Sequence, residues 1–310
     1  MTDPTPADFR AIGQRLSNWG RWGDDDVRGT LNFLTPELVL ASLRSARSGR
    51  TFELSIPLGK DGPHTQLGLG VRVNPVHLMG IMPGDLDLPD GVLVTDDYVV
   101  MPLQAATQWD GFAHLGYDDH FYNGVPSSSV TATQGALHNG IDRTLPGFVG
   151  RGVLLDIARL DGTSWLPIDR AIGPEDLEAA ERAQGVRLGR GDALLVRTGW
   201  RRKAVVEGWD GWLGTEPGLT LDCAEWIHHR ELAAVASDNW GVEVAPAASG
   251  YLPLHCVLIR DMGMMLGEMW DLEALADDCV ADGHWDFHLV APALRVTGAV
   301  GSPISPIAIK

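Results

Sequence analysis

The segment QAATQWDGFAH, residues 104–114, places two amides, a carboxylate and an imidazole within eleven positions: Gln104, Gln108, Asp110 and His114. All four positions are even-numbered. On an extended strand, alternate residues share a face, so these groups would point the same way. Gly111 allows a bend, which loosens the parity beyond Asp110. A carboxylate and an imidazole on one face are a common ligand pair for zinc, manganese and similar divalent ions. Two ligands rarely suffice. The candidates for the rest are His255 in PLHCVLIRDMG and Glu268 in GMMLGEMWDL, both in apolar surroundings. A carboxylate in such a run must be paired, protonated or metal-bound, because a lone buried charge is costly. The competing reading of each histidine is a hydrogen-bonded core residue. His114 is also placed to act as a general base, since imidazole titrates near neutrality. Trp109, Phe112 and Tyr122 are candidates for an apolar pocket wall, with ordinary packing as their alternative, and His120 is near enough in sequence to line the same pocket.

The elements that must position these groups read as follows. Thr35 and Pro36 start a helix that Gly49 is expected to stop. TFELSIPL reads as a strand. Residues 60–92, rich in Gly, Pro and Asp, read as a loop broken by GVRVNPVHL. The apolar run YVVMPL reads as a buried strand that delivers Gln104. RGVLLDIARL and DALLVRTGW are near-continuous apolar runs, as expected of strands covered on both faces. AAVASD and HWDFHLVAPALRV read as further strands. GPEDLEAAERAQG, LTLDCAEWIHHREL and MWDLEALADD read as helices, and the periodicity of PLHCVLIRDMG leaves helix and strand open. Strands alternating with helices argue for an α/β fold with a mixed sheet. No long linker divides residues 1–310, so a single domain is expected, with residues 1–50 as a helical extension packed on it.

Composition narrows the function. The chain has 310 residues, 45% apolar and 21% charged, and a formal net charge of −17. Such an acidic surface repels nucleic acid and anionic membrane, so neither is an expected partner. No apolar run is long enough to cross a bilayer. Three cysteines with no CxxC argue against a disulfide framework or a thiolate zinc site. MTDPTPADFR carries no basic-then-apolar export signal, and a reducing cytoplasm is the expected location. There is no GxSxG nucleophile elbow, and GLGVRV lacks the full dinucleotide fingerprint.

Residues 104–114 resemble the HxGTHxDxPxH signature of the metal-dependent cyclase-like hydrolases, which include bacterial kynurenine formamidases and isatin hydrolases. Thr107, Asp110 and His114 match. Gln104 and Gln108 stand where that family has metal-binding histidines, Ala106 replaces the Gly and Phe112 the Pro. The resemblance extends to RTGW at the end of DALLVRTGW, to AAVASDNWGVE with Asp238, to LHCVLIRDMGMMLGEMWDL with His255 and Glu268, and to the ending GSPISPIAI. The opening NWGRWGDDDVRGTLNFLTPE is similar to a longer-chain branch of the family.

The resemblance implies a swivelling β/β/α arrangement on a mixed sheet, with flanking helices. It implies hydrolysis of a small amide, formamide, cyclic amide or lactone with a divalent metal, zinc or manganese, held by Asp110, His114, His255 and Glu268. In the family's binuclear members the matched histidine serves the second metal and proton transfer. Glutamine offers a neutral oxygen in place of an imidazole nitrogen, so one ion is expected rather than two. Gln104 and Gln108 become weak ligands or substrate contacts. A small-molecule substrate and a homodimer or homotetramer are also implied. Two other readings remain: a metal-dependent lyase, cyclase or isomerase, and a small-molecule binding protein with a degraded site.

Overall fold

The computed structural model describes residues 6–65, 72–248 and 250–310. The strands that build the fold are β1 (Thr51–Glu53), β2 (Val76–Ile81), β3 (Asp96–Val100), β4 (Gln108–Asp110), β5 (Phe148–Asp156), β6 (Ala193–Arg197), β7 (Ala234–Ser237), β8 (Met265–Glu268), β9 (Asp286–Ala291), β10 (Gly301–Pro303) and β11 (Ile307–Ile309). Nine of them form one sheet in the order β1-β11-β9-β5-β6-β7-β8-β4-β10. β5, β6, β7 and β8 run parallel, and both flanks are antiparallel. The expected mixed α/β sheet is what forms.

Its central strands are covered on both faces, and the period of two sorts their side chains. Val153, Leu155, Leu194, Val196, Val235 and Leu266 enter one apolar cluster, which also takes residues of the helices Pro174–Gln184 and Cys223–His229. Leu154, Ala193, Leu195, Ala234, Ala236 and Met265 enter the other, which takes residues of the helix Glu273–Asp282. The helix Pro174–Gln184 starts as its sequence suggests. Pro174 takes the first position, the Asp176 carboxylate accepts from the Gly173 N–H at 2.9 Å, and Gly185 ends it at φ 64°.

The N-terminal residues lie on this core. The helix Pro6–Leu16 places Phe9 and Leu16 in the first cluster. Asn18 and Trp19 then donate to the carbonyls of Met262 and Arg260 at 2.9 and 2.8 Å. Thr35 caps the helix Pro36–Ser42, its hydroxyl accepting from Leu38 N–H at 3.3 Å. That helix gives way to a 3₁₀ turn well before Gly49. Ser42 donates back to the Val39 carbonyl at 2.6 Å, a local bond that competes with helix continuation.

Four expectations are corrected. Only Thr51–Glu53 of TFELSIPL is strand, because only there does a partner, β11, continue the ladder. Residues 60–92 are not simply loop: β2 pairs with β3 as a separate two-stranded arm, with Val76 opposite Val100 and Leu78 opposite Tyr98. The run YVVMPL, expected to be a buried strand, supplies the exposed β3 instead. Residues 104–107 are turn, so the extended stretch at the motif is Gln108–Asp110 alone.

Candidate metal centre and pocket

β4 pairs antiparallel with β8, placing Gln108 opposite Glu268 and Asp110 opposite Leu266. All four residues share the face of the first apolar cluster. Asp110 and Gln108 are fully buried and Glu268 nearly so. The pairing is close because position 267 is glycine: a Cβ there would lie 2.6 Å from that of Ala236 and 2.8 Å from the Trp109 ring. Thr107 locks the turn before β4 to the end of β8, accepting from Ile56 N–H at 2.8 Å and donating to the Met269 carbonyl.

His255 closes the group. It sits in the helical turn Pro253–His255, which resolves PLHCVLIRDMG as helical. Its backbone N–H and Nδ1 donate to Glu243 Oε1 at 2.9 and 2.5 Å, and its Nε2 lies 3.2 Å from Glu268 Oε1. Asp110, His255 and Glu268 each present a ligand atom, and those atoms lie within 4.8 Å of one another. Val242, Leu252 and Met269 flank these residues with φ of 62°, 48° and 59°. Left-handed backbone is uncommon for such side chains, β-branched Val242 above all, and is held only where surrounding structure enforces it.

Gln108 lies between the two carboxylates. Its Nε2 donates to Asp110 Oδ1 at 3.1 Å and to Glu268 Oε2 at 2.7 Å. Its own Oε1 and the second oxygen of Asp110 are buried without a partner. Gln104 is in the preceding turn, its amide against Gly301, which pairs with Asp110 on the other edge of β4; a Cβ at 301 would meet it at 2.5 Å. It is half-buried. The shared parity of Gln104 and Asp110 therefore does not come from one strand, though the two remain neighbours.

His114 reaches Asp110 by a turn. The chain bends at Gly111, whose carbonyl accepts from His114 N–H at 3.0 Å, and Nε2 returns to 3.6 Å from Asp110 Oδ1. It lies at the edge of the three-residue group rather than within it. Burial disfavours its charged form and lowers its pKa despite Asp110 beside it.

The electrostatics are one-sided. Glu216 and Glu243 join Asp110 and Glu268 as buried carboxylates. Burial, then the charge of Glu268, pushes Asp110 up to about 6. Burial also raises Glu216 well above the usual range, although it accepts from the N–H groups of Trp240 and Gly241, both at 2.6 Å. Burial works against a charged His255, but its bonds to Glu243 and Glu268 outweigh that and lift it to about 10.

A cavity of about 440 Å³ opens onto the group. His114, His255 and Glu268 form its floor, and Arg72, Phe121, Trp240 and Tyr251 line it. Among the described residues no carboxylate pairs with Arg72. Four expected pocket residues lie elsewhere. Trp109 is fully buried on the opposite face, donating to the Ala291 carbonyl at 2.9 Å and packing edge-on to Trp270. Phe112 packs on Tyr122 in the core at 5.2 Å, and the Tyr122 hydroxyl donates to Asp26 at 2.9 Å. His120 is exposed, its ring bonded to the Asp118 carbonyl. The odd position of Trp109 already places it opposite Asp110. Sequence reasoning missed Glu216, Glu243 and the lining residues. Glu243 had a usable signal, a charge five residues past Asp238 in the same run of small and apolar residues; Glu216 had none.

The sequence profile of the family described as "Putative cyclase" matches residues 52–244. A crystal structure described as that of a novel cyclase superposes with a TM-score of 0.88 at 40% identity, covering 95% of this chain and 100% of the other. Isatin hydrolase A from Ralstonia solanacearum gives 0.64 at 20% identity, covering 89% and 97%. A predicted metal-dependent hydrolase from Bacillus stearothermophilus gives 0.54 at 16%, covering 84% and 97%. The last two likenesses are of fold. No curated protein sequence matches the chain.

Proposed function

The chain belongs to the cyclase family, and from that premise we propose that it is a metal-dependent hydrolase of a small amide, formamide, cyclic amide or lactone. One observation carries the reading. Buried Asp110, His255 and Glu268 each turn a ligand atom toward the others at the floor of a pocket, with Asp110 Oδ2 and Gln108 Oε1 buried and unpartnered. Uncompensated buried charge is expensive, and a bound cation is the usual compensation.

The residues fit a divalent ion. Asp110, His255 and Glu268 would hold it, and Gln108 stands ready beside them. Turning its amide over exchanges Nε2 for Oε1 and converts a donor bridging two carboxylates into a neutral oxygen ligand. Three oxygens and one nitrogen suit manganese or zinc. Glu243 fixes His255 through Nδ1, which leaves Nε2 to face the ion. When bound, such an ion would polarise a substrate carbonyl and make water more acidic. His114, kept neutral by burial, is the base that accepts a proton in the pocket and returns it to the leaving nitrogen or oxygen. Arg72 orients a substrate oxygen at the mouth, and Phe121, Trp240 and Tyr251 supply aromatic walls.

The test is turnover of simple formamides, lactones and cyclic amides, isatin included, in water labelled with heavy oxygen. Hydrolysis incorporates one solvent oxygen into product. Metal-stimulated turnover without incorporation would replace hydrolysis with ring closure, dehydration or isomerisation.

A further inference from the structure

Arg72 is out of keeping with the other arginines. Among the described residues, every other arginine that the fold covers wholly or in part has an acceptor. Arg197 holds Asp156 at 2.8 Å, Arg170 holds Asp176 at 2.8 Å, and Arg28 reaches the Leu145 carbonyl at 3.3 Å. Arg10, Arg151, Arg201, Arg230 and Arg260 are half-buried, and each is paired with a carboxylate. Arg72 is half-buried too, yet among the described residues it bonds to no acceptor and covers no aromatic ring. With 41 acidic residues against 24 basic ones, carboxylates are not scarce in this chain. A part-covered guanidinium without a partner loses hydration and gains nothing in return.

Its surroundings say what it faces. Arg72 shares the wall of the cavity of about 440 Å³ with Phe121, Trp240 and Tyr251, above the floor of His114, His255 and Glu268. Its charge reaches Asp110 and His114, acting to lower the pKa of both, but it is bonded to neither. The other polar side chains of the wall can also donate. The Trp240 indole N–H is buried without a partner, and the hydroxyl of Tyr251, a residue 76% exposed, bonds to nothing among the described residues. Apart from Glu268 on the floor, no carboxylate lines the cavity. The acceptor that this wall lacks must come with the ligand.

We propose that the substrate carries a carboxylate of its own, apart from the bond that is cut, and that Arg72 is the residue that selects it. The proposal rests on the hydrolase reading of the same pocket and names its substrate class. A guanidinium fork matches a carboxylate with two parallel bonds, which also fixes the ligand's orientation. Charge argues for a monoanion. A divalent ion on the floor would offset Asp110 and Glu268, which leaves Arg72 as one positive charge over; a phosphate dianion would exceed it. The rings of Phe121, Trp240 and Tyr251 suit an aromatic body between the two ends. The class is therefore an amide, formamide or lactone of an aromatic acid.

The test compares 4-formamidobenzoate with its methyl ester, which differ in charge alone. Binding is read by calorimetry on metal-loaded protein, and turnover by formate release, for the wild type, Arg72→Met, Arg72→Lys and Glu268→Gln. Arg72 bonds to no other described residue, so neither change at 72 removes a contact of the fold, and metal content checks that the floor is intact. The wild type should bind the acid roughly 10- to 100-fold more tightly than the ester, the usual worth of hydrogen bonds to a charged group. Arg72→Met should erase that preference, with metal content unchanged and the ester affected far less than the acid. Arg72→Lys should keep part of it, because a point charge replaces a fork. A wild type that binds the ester as well as the acid, or binds neither at millimolar concentration, overturns the proposal. A preference that survives in Arg72→Met and vanishes in Glu268→Gln assigns the carboxylate to the ion and overturns it equally. Preferred binding of the acid that depends on Arg72, without formate release from either probe, supports the carboxylate site and counts against formamide hydrolysis alone.

Discussion

Two buried charge clusters stand at the carboxyl ends of different parallel strands of the one sheet, and they are built to opposite rules. At the ends of β5 and β6, Arg197 donates to Asp156 at 2.8 Å and grips Glu273 with two bonds at 2.8 and 2.9 Å. Arg159 holds the second Asp156 oxygen at 3.2 Å. Every charge has an opposite. At the end of β8, Asp110 and Glu268 share the Gln108 amide and one histidine, with no lysine or arginine bonded to either among the described residues, and Asp110 Oδ2 and Gln108 Oε1 have no partner. The first cluster is complete by itself and serves the fold. The second is incomplete by itself, and incompleteness at the floor of a pocket is what a site for an added cation looks like in its absence. Asp238 lies on the border. It is fully buried, takes three bonds from Thr198 and Gly199, and belongs with the structural cluster.

Substitutions should therefore split the two regions. The largest effect is expected of Glu268→Gln, which keeps shape but removes a ligand charge. Metal affinity should fall roughly 10²-fold or more, and turnover with it; calorimetric titration with manganese and zinc reads this. His114→Asn should keep the metal and lose about 10²- to 10⁴-fold in kcat, the usual worth of a positioned base. Lost metal with activity restored by added ion would make His114 a ligand instead. Arg197→Met should do the reverse of both, costing about 3–5 kcal/mol of stability by stranding Asp156 and Glu273, with metal affinity unchanged in the folded protein; urea melts measure it. Asp110→Asn in metal-free protein should be neutral or stabilising by about 1 kcal/mol, since it relieves a crowded charge. The smallest change is expected of Gln108→His, a modest gain in zinc affinity over manganese if position 108 faces the ion.

Much of this contrast was legible in the sequence. Continuous apolar runs such as VLLD and ALLVR announce strands buried on both faces, and a Glu inside GMMLGEMW announces a charge that needs a partner. Asp110, His255 and Glu268 do converge. What failed was reading distance from spacing. The motif's even positions suggest one strand, but residues 104–107 turn and Gly111 bends, so parity survives only for Gln108 and Asp110. YVVMPL reads as a buried strand but is exposed, because an apolar pattern reports that a face favours cover, not that the chain provides it. Phe112 and Tyr122 face inward against each other, a choice set by packing that adjacent sequence does not reveal. Glu216 reaches the site through the backbone N–H groups of Trp240 and Gly241, a contact with no local signature.

The most direct measurement is the divalent metal content of protein purified without a metal-affinity tag, read by elemental analysis beside the thermal melt before and after chelation. The account predicts about one manganese or zinc ion per chain, a lower melting temperature once it is stripped, and neither ion nor shift in Glu268→Gln. A wild type that binds no divalent ion at about millimolar concentration, and melts identically with and without chelator, would contradict it.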